Sequence, residues 1–347
     1  MAEGGPTVYG AFDVGVLYRS RHAEVASGMN GHNGIGFKMS EDLGNGMTIS
    51  GDAFFQFALD AGGNDVAAGQ AGGFGGVNVL YSYLALSGDF GTVIGGRAGG
   101  ARAGFIKQYD PFGGFGVGSA LQAQRSGAGN ADYADNVLAW VTPEVMPGLK
   151  FLAAYTSNLV GQDFTTHSAR TNALVLNATP LYAIAALYNQ GPVSLTAAYE
   201  NLSIYGSGAH YDVATGGASY DLGVAKVMGL YQYIEAFQHG WQVGATAPMG
   251  AATLKASYVN NKNSGFGASC EKVAVGVNYD LSKRTRVYAD AAKLTEKDGC
   301  TVGIGVNGGD FSSAPGTALQ ANNEPVAPIG GASTSSYGFN VGIRHTF

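Results

Sequence analysis

The sequence predicts an all-β chain: a sixteen-stranded antiparallel transmembrane β-barrel with long loops on one rim and short turns on the other. Three observations predict it: a very low charge content, a period-two alternation of side chains, and connections whose lengths alternate along the chain. Only 13% of the 347 residues are charged, against 46% hydrophobic. A soluble domain carries roughly a quarter charged residues, so this chain has too few to cover a water-exposed surface. Glycine is abundant, with 56 residues beside 19 tyrosines and 17 phenylalanines, yet no Gly-X-Y period occurs, which excludes collagen. Aromatics at 11% argue against a disordered chain. A helical membrane span needs about 20 consecutive apolar residues, and the apolar run 181–188 stops at Asn189.

Alternation is clearest at the C-terminus. Tyr337, Phe339, Val341, Ile343, His345 and Phe347 interleave with Gly338, Asn340, Gly342, Arg344 and Thr346. One face is aromatic or aliphatic and the other small or polar, the mark of a strand between two different environments. Val273, Val275, Val277 and Tyr279 repeat the pattern, as do Phe12, Val14, Val16 and Tyr18. Sixteen strand cores follow in order: 8–18, 33–40, 47–58, 77–87, 91–97, 133–142, 149–157, 181–189, 193–201, 212–220, 224–234, 239–247, 252–260, 272–280, 285–294 and 337–347. Short Gly/Pro/Asn/Asp turns join alternate pairs at 41–46, 88–91, 143–148, 189–192, 221–223, 248–250 and 280–284. The stretches 20–33, 60–76, 98–132, 158–179 and 295–335 are long Gly/Ser/Ala-rich loops, and eight loops in all fill that rim. Residues 1–347 form one domain without a linker, and sixteen strands enclose an aqueous channel rather than a side-chain core.

The net charge of −6 gives nucleic acid no electrostatic foothold. Met1-Ala2-Glu3-Gly4-Gly5 has no apolar h-region, so an exported protein would stand here in its mature form. Gly303-Ile304-Gly305-Val306-Asn307-Gly308 fits a dinucleotide fingerprint on paper but lacks the following helix. His22, His32, His167, His210, His239 and His345 show no metal-ligand spacing, and no nucleophile or acid/base cluster stands out. The expectation is therefore no enzyme, no metal and no cofactor.

Several stretches together resemble the trimeric general porins of Gram-negative bacteria, in the neisserial and β-proteobacterial branch. They are Val8-Tyr9-Gly10-Ala11-Phe12-Asp13, Gly36-Phe37-Lys38-Met39-Ser40-Glu41-Asp42-Leu43-Gly44, Leu86-Ser87-Gly88-Asp89-Phe90-Gly91-Thr92-Val93, Asp135-Asn136 before Trp140, Ala218-Ser219-Tyr220-Asp221-Leu222-Gly223, Leu281-Ser282-Lys283-Arg284-Thr285 and Gly342-Ile343-Arg344-His345-Thr346-Phe347. They follow the family's order from end to end. The resemblance implies a homotrimer in the bacterial outer membrane, in contact with its lipid and lipopolysaccharide, with short periplasmic turns. It also implies passive diffusion of small hydrophilic solutes and ions, and an inward-folded third loop, here 98–132, that forms the constriction. Phe347 takes the place of the family's C-terminal membrane-insertion residue.

The resemblance also shows departures. Tyr81 and Tyr133 stand where the family commonly carries inward arginines, and parity with Leu84, Leu86, Leu138 and Trp140 puts both tyrosines on the lumen face. Lys38 keeps a basic position. Arg97, Arg102 and Lys107 are further basic constriction candidates; Tyr109, Asp110 and Asp135 complete the set. Charged rings at a narrow point set ion preference, so the loss of two arginines implies weak anion selectivity and a partly aromatic eyelet. The two tyrosines could also merely fill lumen space. Cys270 and Cys300 flank the hairpin around 280–284 and are candidates for a disulfide that pins the last loop. A surface adhesin or antigen barrel with binding loops is the competing reading, weakened by loops poor in aromatic anchors.

Overall fold

The structure is a computed structural model, and it describes residues 5–19, 22–60, 77–120, 133–157, 178–204, 210–235, 238–263, 268–297 and 334–347. Its strands are β1 (Thr7–Arg19), β2 (His22–Ser27), β3 (Gly34–Gly44), β4 (Met47–Gln56), β5 (Asn78–Gly88) and β6 (Gly91–Gly99). One helix follows, α1 (Ala101–Gln108), and then β7 (Tyr133–Val141), β8 (Leu149–Thr156), β9 (Ala178–Gln190) and β10 (Val193–Ile204). The wall continues with β11 (His210–Asp221), β12 (Lys226–Ile234), β13 (Gln238–Met249) and β14 (Ala252–Asn263). It ends with β15 (Ala268–Asp280), β16 (Thr285–Lys297) and β17 (Thr334–Thr346).

Each strand pairs antiparallel with its neighbours, and β1 pairs with β17 from Ala11↔Thr346 to Arg19↔Gly338. That pairing closes the sheet. The other edge of β1 is shared: β2 covers residues 14–19 and β3 covers residues 7–11. Segments β2 and β3 are thus two halves of one wall position, and the barrel has sixteen. Closure leaves no edge of unpaired N–H and C=O groups, and in hydrocarbon each such group would cost several kcal/mol. At the seam, Gly10 and Phe347 exchange both backbone hydrogen bonds at 3.1 Å. The Phe12 and Phe347 rings meet at 5.5 Å.

The first loop expectation, 20–33, is corrected here. Residues 22–27 are strand, and among the described residues of that stretch 28–33 leave the sheet. This detour is held by Asp13: its carboxylate accepts the Asn30 N–H, and its backbone carbonyl accepts from the Gly28 N–H and the Asn33 side-chain amide. The strands also run further into the long-loop rim than expected, so β10–β11, β12–β13 and β14–β15 are joined by only a few residues. The short-turn rim matches expectation. Its first hairpin turns on Asn45-Gly46, both at positive φ (53° and 75°), the two-residue geometry that follows strand twist.

The two faces are inverted relative to a soluble protein. Large apolar side chains point outward in period two, as in Leu84 and Leu86, Leu138 and Trp140, Val273 and Val275, and Phe339, Val341 and Ile343. Inside are Asp13, Lys255, Lys272, Asp290, Gln232, Gln242 and Asn340, all buried. Exposed aromatics concentrate near both rims: Trp140, Tyr220 and Tyr279 by the short turns; Tyr18, Tyr155, Trp241 and Tyr337 toward the loops. Such girdles seat a barrel at the two lipid–water interfaces. Among the described residues no helix is long and apolar enough to cross a membrane.

Asp13 also accepts the Tyr288 hydroxyl and lies 3.8 Å from Arg344. Removing one partner of a buried pair costs about 3–5 kcal/mol. Asp13→Ala is therefore expected to lower unfolding free energy by that order, read by urea titration in lipid vesicles.

Candidate functional site

After β6 the chain does not return over the rim. It turns into the barrel, as α1 and then 109–120. An eight-residue helix is marginal alone, and α1 has no side-chain cap at Gly100; packing holds it. The otherwise polar inner wall carries an apolar patch at that point, where Met228 and Leu230 bury against Ala103, Ile106 and Tyr109.

The remainder of the loop lies in a trough made by missing side chains. A Cβ on Gly217 would stand 2.2 Å from the Tyr109 ring, and one on Gly244 would stand 2.4 Å from Pro111. The Tyr109 hydroxyl meets Thr196 Oγ1 at 2.8 Å, and Gln242 Nε2 donates to the Tyr109 carbonyl. Lys272 Nζ donates to the Ser119 carbonyl at 2.6 Å. Lys255 pairs with Asp290 at 2.7 Å and sits 4.6 Å over the Phe112 ring. Asn340 Oδ1 accepts the Val117 N–H while its amide donates to Asp290. Loop residues 109–119 thus contact the inner wall from β10 to β17.

Asp110 organises the loop itself. Its carboxylate accepts the backbone N–H groups of Phe112, Gly114 and Ala120 at 2.9–3.0 Å. Burial pushes this carboxyl above the usual carboxylate range, against the pull of those donors and of Lys272. Tyr109 and Asp110 were expected to line the constriction; both are buried against the wall, Tyr109 completely. Their role in the structure is to seat the loop.

The opposite stretch of wall carries a row of rings. Phe54 and Tyr81 stack with centroids 5.6 Å apart and planes 19° apart; Tyr81 and Tyr133 stack at 5.8 Å and 26°. Tyr9 extends the row at 5.9 Å from Phe54, and its hydroxyl bonds Asp52 and the Tyr81 hydroxyl. At the other end, His32 of the detour lies 6.0 Å from Tyr133 and 4.9 Å from Phe115 of the loop. Lys38 Nζ stands 5.4 Å from the Tyr9 centroid, and Lys107 Nζ stands 5.6 Å from Tyr133 and 5.5 Å from Phe115.

The structure brings Lys38, Tyr81, Lys107 and Tyr133 together in this row. Arg97 is placed differently from expectation. A one-residue register shift in β5 frees the Val79 and Leu80 carbonyls; Arg97 Nε donates to both, and its guanidinium pairs with Asp135. Arg97 and Asp135 thus anchor the root of the loop, 6.0 Å from the Tyr133 centroid. Arg102 falls within α1, its side chain outside the described set, and residues 121–132, the motif at 303–308 and Cys300 also lie outside the described residues. Cys270 is fully buried and is no free thiol. The interior charges Asp13, Lys255, Lys272, Asp290 and Arg344 were missed. The alternation that located Tyr81 would have found them, since Lys255 follows outward Leu254 and Lys272 precedes outward Val273. Among the described residues no group of three or more His, Cys, Asp or Glu could hold a metal ion.

A closed sheet that is apolar outside and ionised inside, with a loop folded into its lumen, defines a transmembrane β-barrel channel. The family model described as Gram-negative porin matches residues 1–299, and the chain belongs to that family. It is 27% identical over 369 residues to Outer membrane porin protein 32 of Delftia acidovorans, covering 100% of this chain and 95% of the relative. The fold is shared with OmpF of Salmonella typhi, solved with daunomycin: TM-score 0.68, 16% identity, 99% of this chain and 97% of that one. OmpT of Vibrio cholerae, described in a trimer form, matches with a TM-score of 0.62 at 15% identity, covering 99% of both chains. The chain is an outer-membrane porin, and its family is one of channels for passive diffusion.

Asp110→Ala is expected to release the loop from its own scaffold. Hydrogen bonds to a charged group contribute about 1.5–3 kcal/mol, so the Phe112, Gly114 and Ala120 amides should exchange at least about tenfold faster by hydrogen-exchange mass spectrometry.

Proposed function

We propose that the protein forms a water-filled, weakly anion-selective channel for small hydrophilic solutes and ions, with loop 98–132 as its constriction and a partly aromatic eyelet. The observation that carries this is the division of charge inside the barrel. Lys255 and Asp290 neutralise each other, Arg344 lies near Asp13, and Arg97 is paired with Asp135. Lys38, exposed and set over a tyrosine face, and Lys107, set over two rings, place basic side chains beside the ring row, with Asp52 across from Lys38. An eyelet of that kind favours anions without excluding cations. Lys38, Tyr81, Lys107 and Tyr133 are its proposed lining, with Arg97 and Asp135 setting the root of the loop.

The proposed assembly is a homotrimer in outer-membrane lipid and lipopolysaccharide. The family and the trimer form of OmpT support it. Phe347, seated at the barrel seam and facing outward, is the proposed insertion residue. A bridge from Cys270 to Cys300 is proposed for the last loop, supported by the buried position of Cys270.

Reversal potentials in a KCl gradient test the reading. The sign should be that of a weak anion preference. An exposed charge contributes about 0.5–1 kcal/mol, so Lys38→Ala should lower the chloride-to-potassium permeability ratio roughly twofold to fivefold. Strong anion selectivity that survives Lys38→Ala would contradict it.

A further inference from the structure

We propose that Lys38 and Asp52, set beside the Tyr9, Phe54 and Tyr81 rings, form a weak binding site for zwitterions that carry a planar ring. The channel then favours aromatic amino acids over aromatic acids or aromatic amines of similar size. The inference rests on the channel reading above and names a solute class for its lining.

The site is a grid of two rows on the inner wall. In the first row Lys38 of β3 pairs with Asp52 of β4, and Asp52 pairs with Tyr83 of β5. In the second row, two residues along each strand, Gly36 pairs with Phe54 and Phe54 with Tyr81. The parity that turns Phe37, Met39 and Leu84 outward turns both rows toward the lumen. A Cβ on Gly36 would stand 2.3 Å from the Tyr9 ring, so the missing side chain lets Tyr9 of β1 lean over β3 toward Phe54. The first row brings two opposite charges and the second brings stacked rings, about 7 Å further along the strands. An aromatic amino acid has the same layout, with ammonium and carboxylate on one carbon and a ring beyond it. Tyr9, Tyr81 and Tyr83 are partly exposed, and aromatic rings associate offset-stacked or edge-to-face within about 4.5–7 Å.

The two charges do not cancel by pairing. Lys255 and Asp290 close to 2.7 Å, whereas among the described residues Lys38 enters no ion pair; its ammonium stands 5.4 Å from the Tyr9 centroid. Asp52 Oδ1 accepts the Tyr9 hydroxyl at 2.5 Å, and among the described residues Oδ2 accepts no hydrogen bond. Lys38 is exposed and Asp52 partly so. Lys107 and the Arg97–Asp135 pair stand at the Tyr133 end of the row and take no part in the site. A carboxylate that meets Lys38 also meets Asp52, and an ammonium that meets Asp52 also meets Lys38, so a singly charged solute is attracted and repelled at once. A zwitterion turns its carboxylate to the lysine and its ammonium to the aspartate. Each contact is exposed and weak, as passage requires: binding must be favourable enough to enter and weak enough to leave.

The test uses the full-length protein in a planar bilayer with KCl at neutral pH, reading block of single-channel current. The probes are phenylalanine, 3-phenylpropionate (no ammonium), 2-phenylethylamine (no carboxylate) and alanine (no ring). Phenylalanine is expected to block at roughly twofold to fivefold lower concentration than each of the other three. Lys38→Gln should remove its advantage over 2-phenylethylamine. Asp52→Asn, which keeps an acceptor for the Tyr9 hydroxyl, should remove its advantage over 3-phenylpropionate. KCl steps with phenylalanine no better than the single-charge probes or alanine in the unmutated channel would overturn the inference and leave the channel reading intact. An advantage that survives both substitutions would also overturn it. Absence of KCl steps would sink the channel reading, and this inference with it.

Discussion

Everything in this protein depends on the pairing of β1 with β17. A strand in hydrocarbon has no water to satisfy its backbone, so a sheet survives there only without edges. Nine consecutive residue pairs along the seam, together with the reciprocal Gly10–Phe347 bonds, supply that closure. Once closed, the sheet has an inside and an outside, and the two-residue period of each strand divides its side chains between lipid and water. The low charge content then has a physical meaning. Half of each strand never meets water, and the ionised residues are gathered where they are solvated or paired.

Inside the barrel, charges serve two separate ends. Asp110, Lys272, Lys255 and Asp290 are buried beneath or within the folded-in loop, and they hold it to the wall. Asp13 does the same for the detour at 28–33, and the detour in turn touches the loop through His32 and Phe115. Two irregular segments thus brace each other within the lumen, each anchored by a carboxylate that satisfies backbone donors. Near the rings stand the basic side chains of Lys38 and Lys107, with the Asp52 carboxylate on the Tyr9 hydroxyl. Lys107 and Asp110 are neighbours in sequence and both lie against Gly114: Asp110 accepts its N–H, and the Lys107 stem runs past it to the Phe115 ring.

Much of the architecture was legible because alternation is a local signal. Tyr81 and Tyr133 could be assigned to the lumen from the phase of Leu84 and Leu138 alone, and the same arithmetic would have yielded Lys255, Lys272 and Asp290. Arg97 was harder. Its partners are carbonyls freed where Phe54 pairs with Tyr81 but Phe55 pairs with Val79, and a one-residue slip leaves no trace in composition. The strand at 22–27 was hidden for a related reason: it is short and followed by Gly28 and Gly31, which read as loop. Tyr109 and Asp110 were placed in the correct loop but on the wrong side of it. The trough that receives them is built by Gly217 and Gly244, more than a hundred residues away, and no local pattern links these positions.

The central claim is that lipid covers the outer face and water fills the inner one. The chain has two tryptophans, Trp140 and Trp241, and both are exposed on the outer face. Fluorescence quenching in vesicles therefore reads the claim directly. Lipids with brominated acyl chains should quench both indoles, and aqueous iodide should reach them poorly. Emission untouched by brominated lipid and fully quenched by iodide would contradict the account.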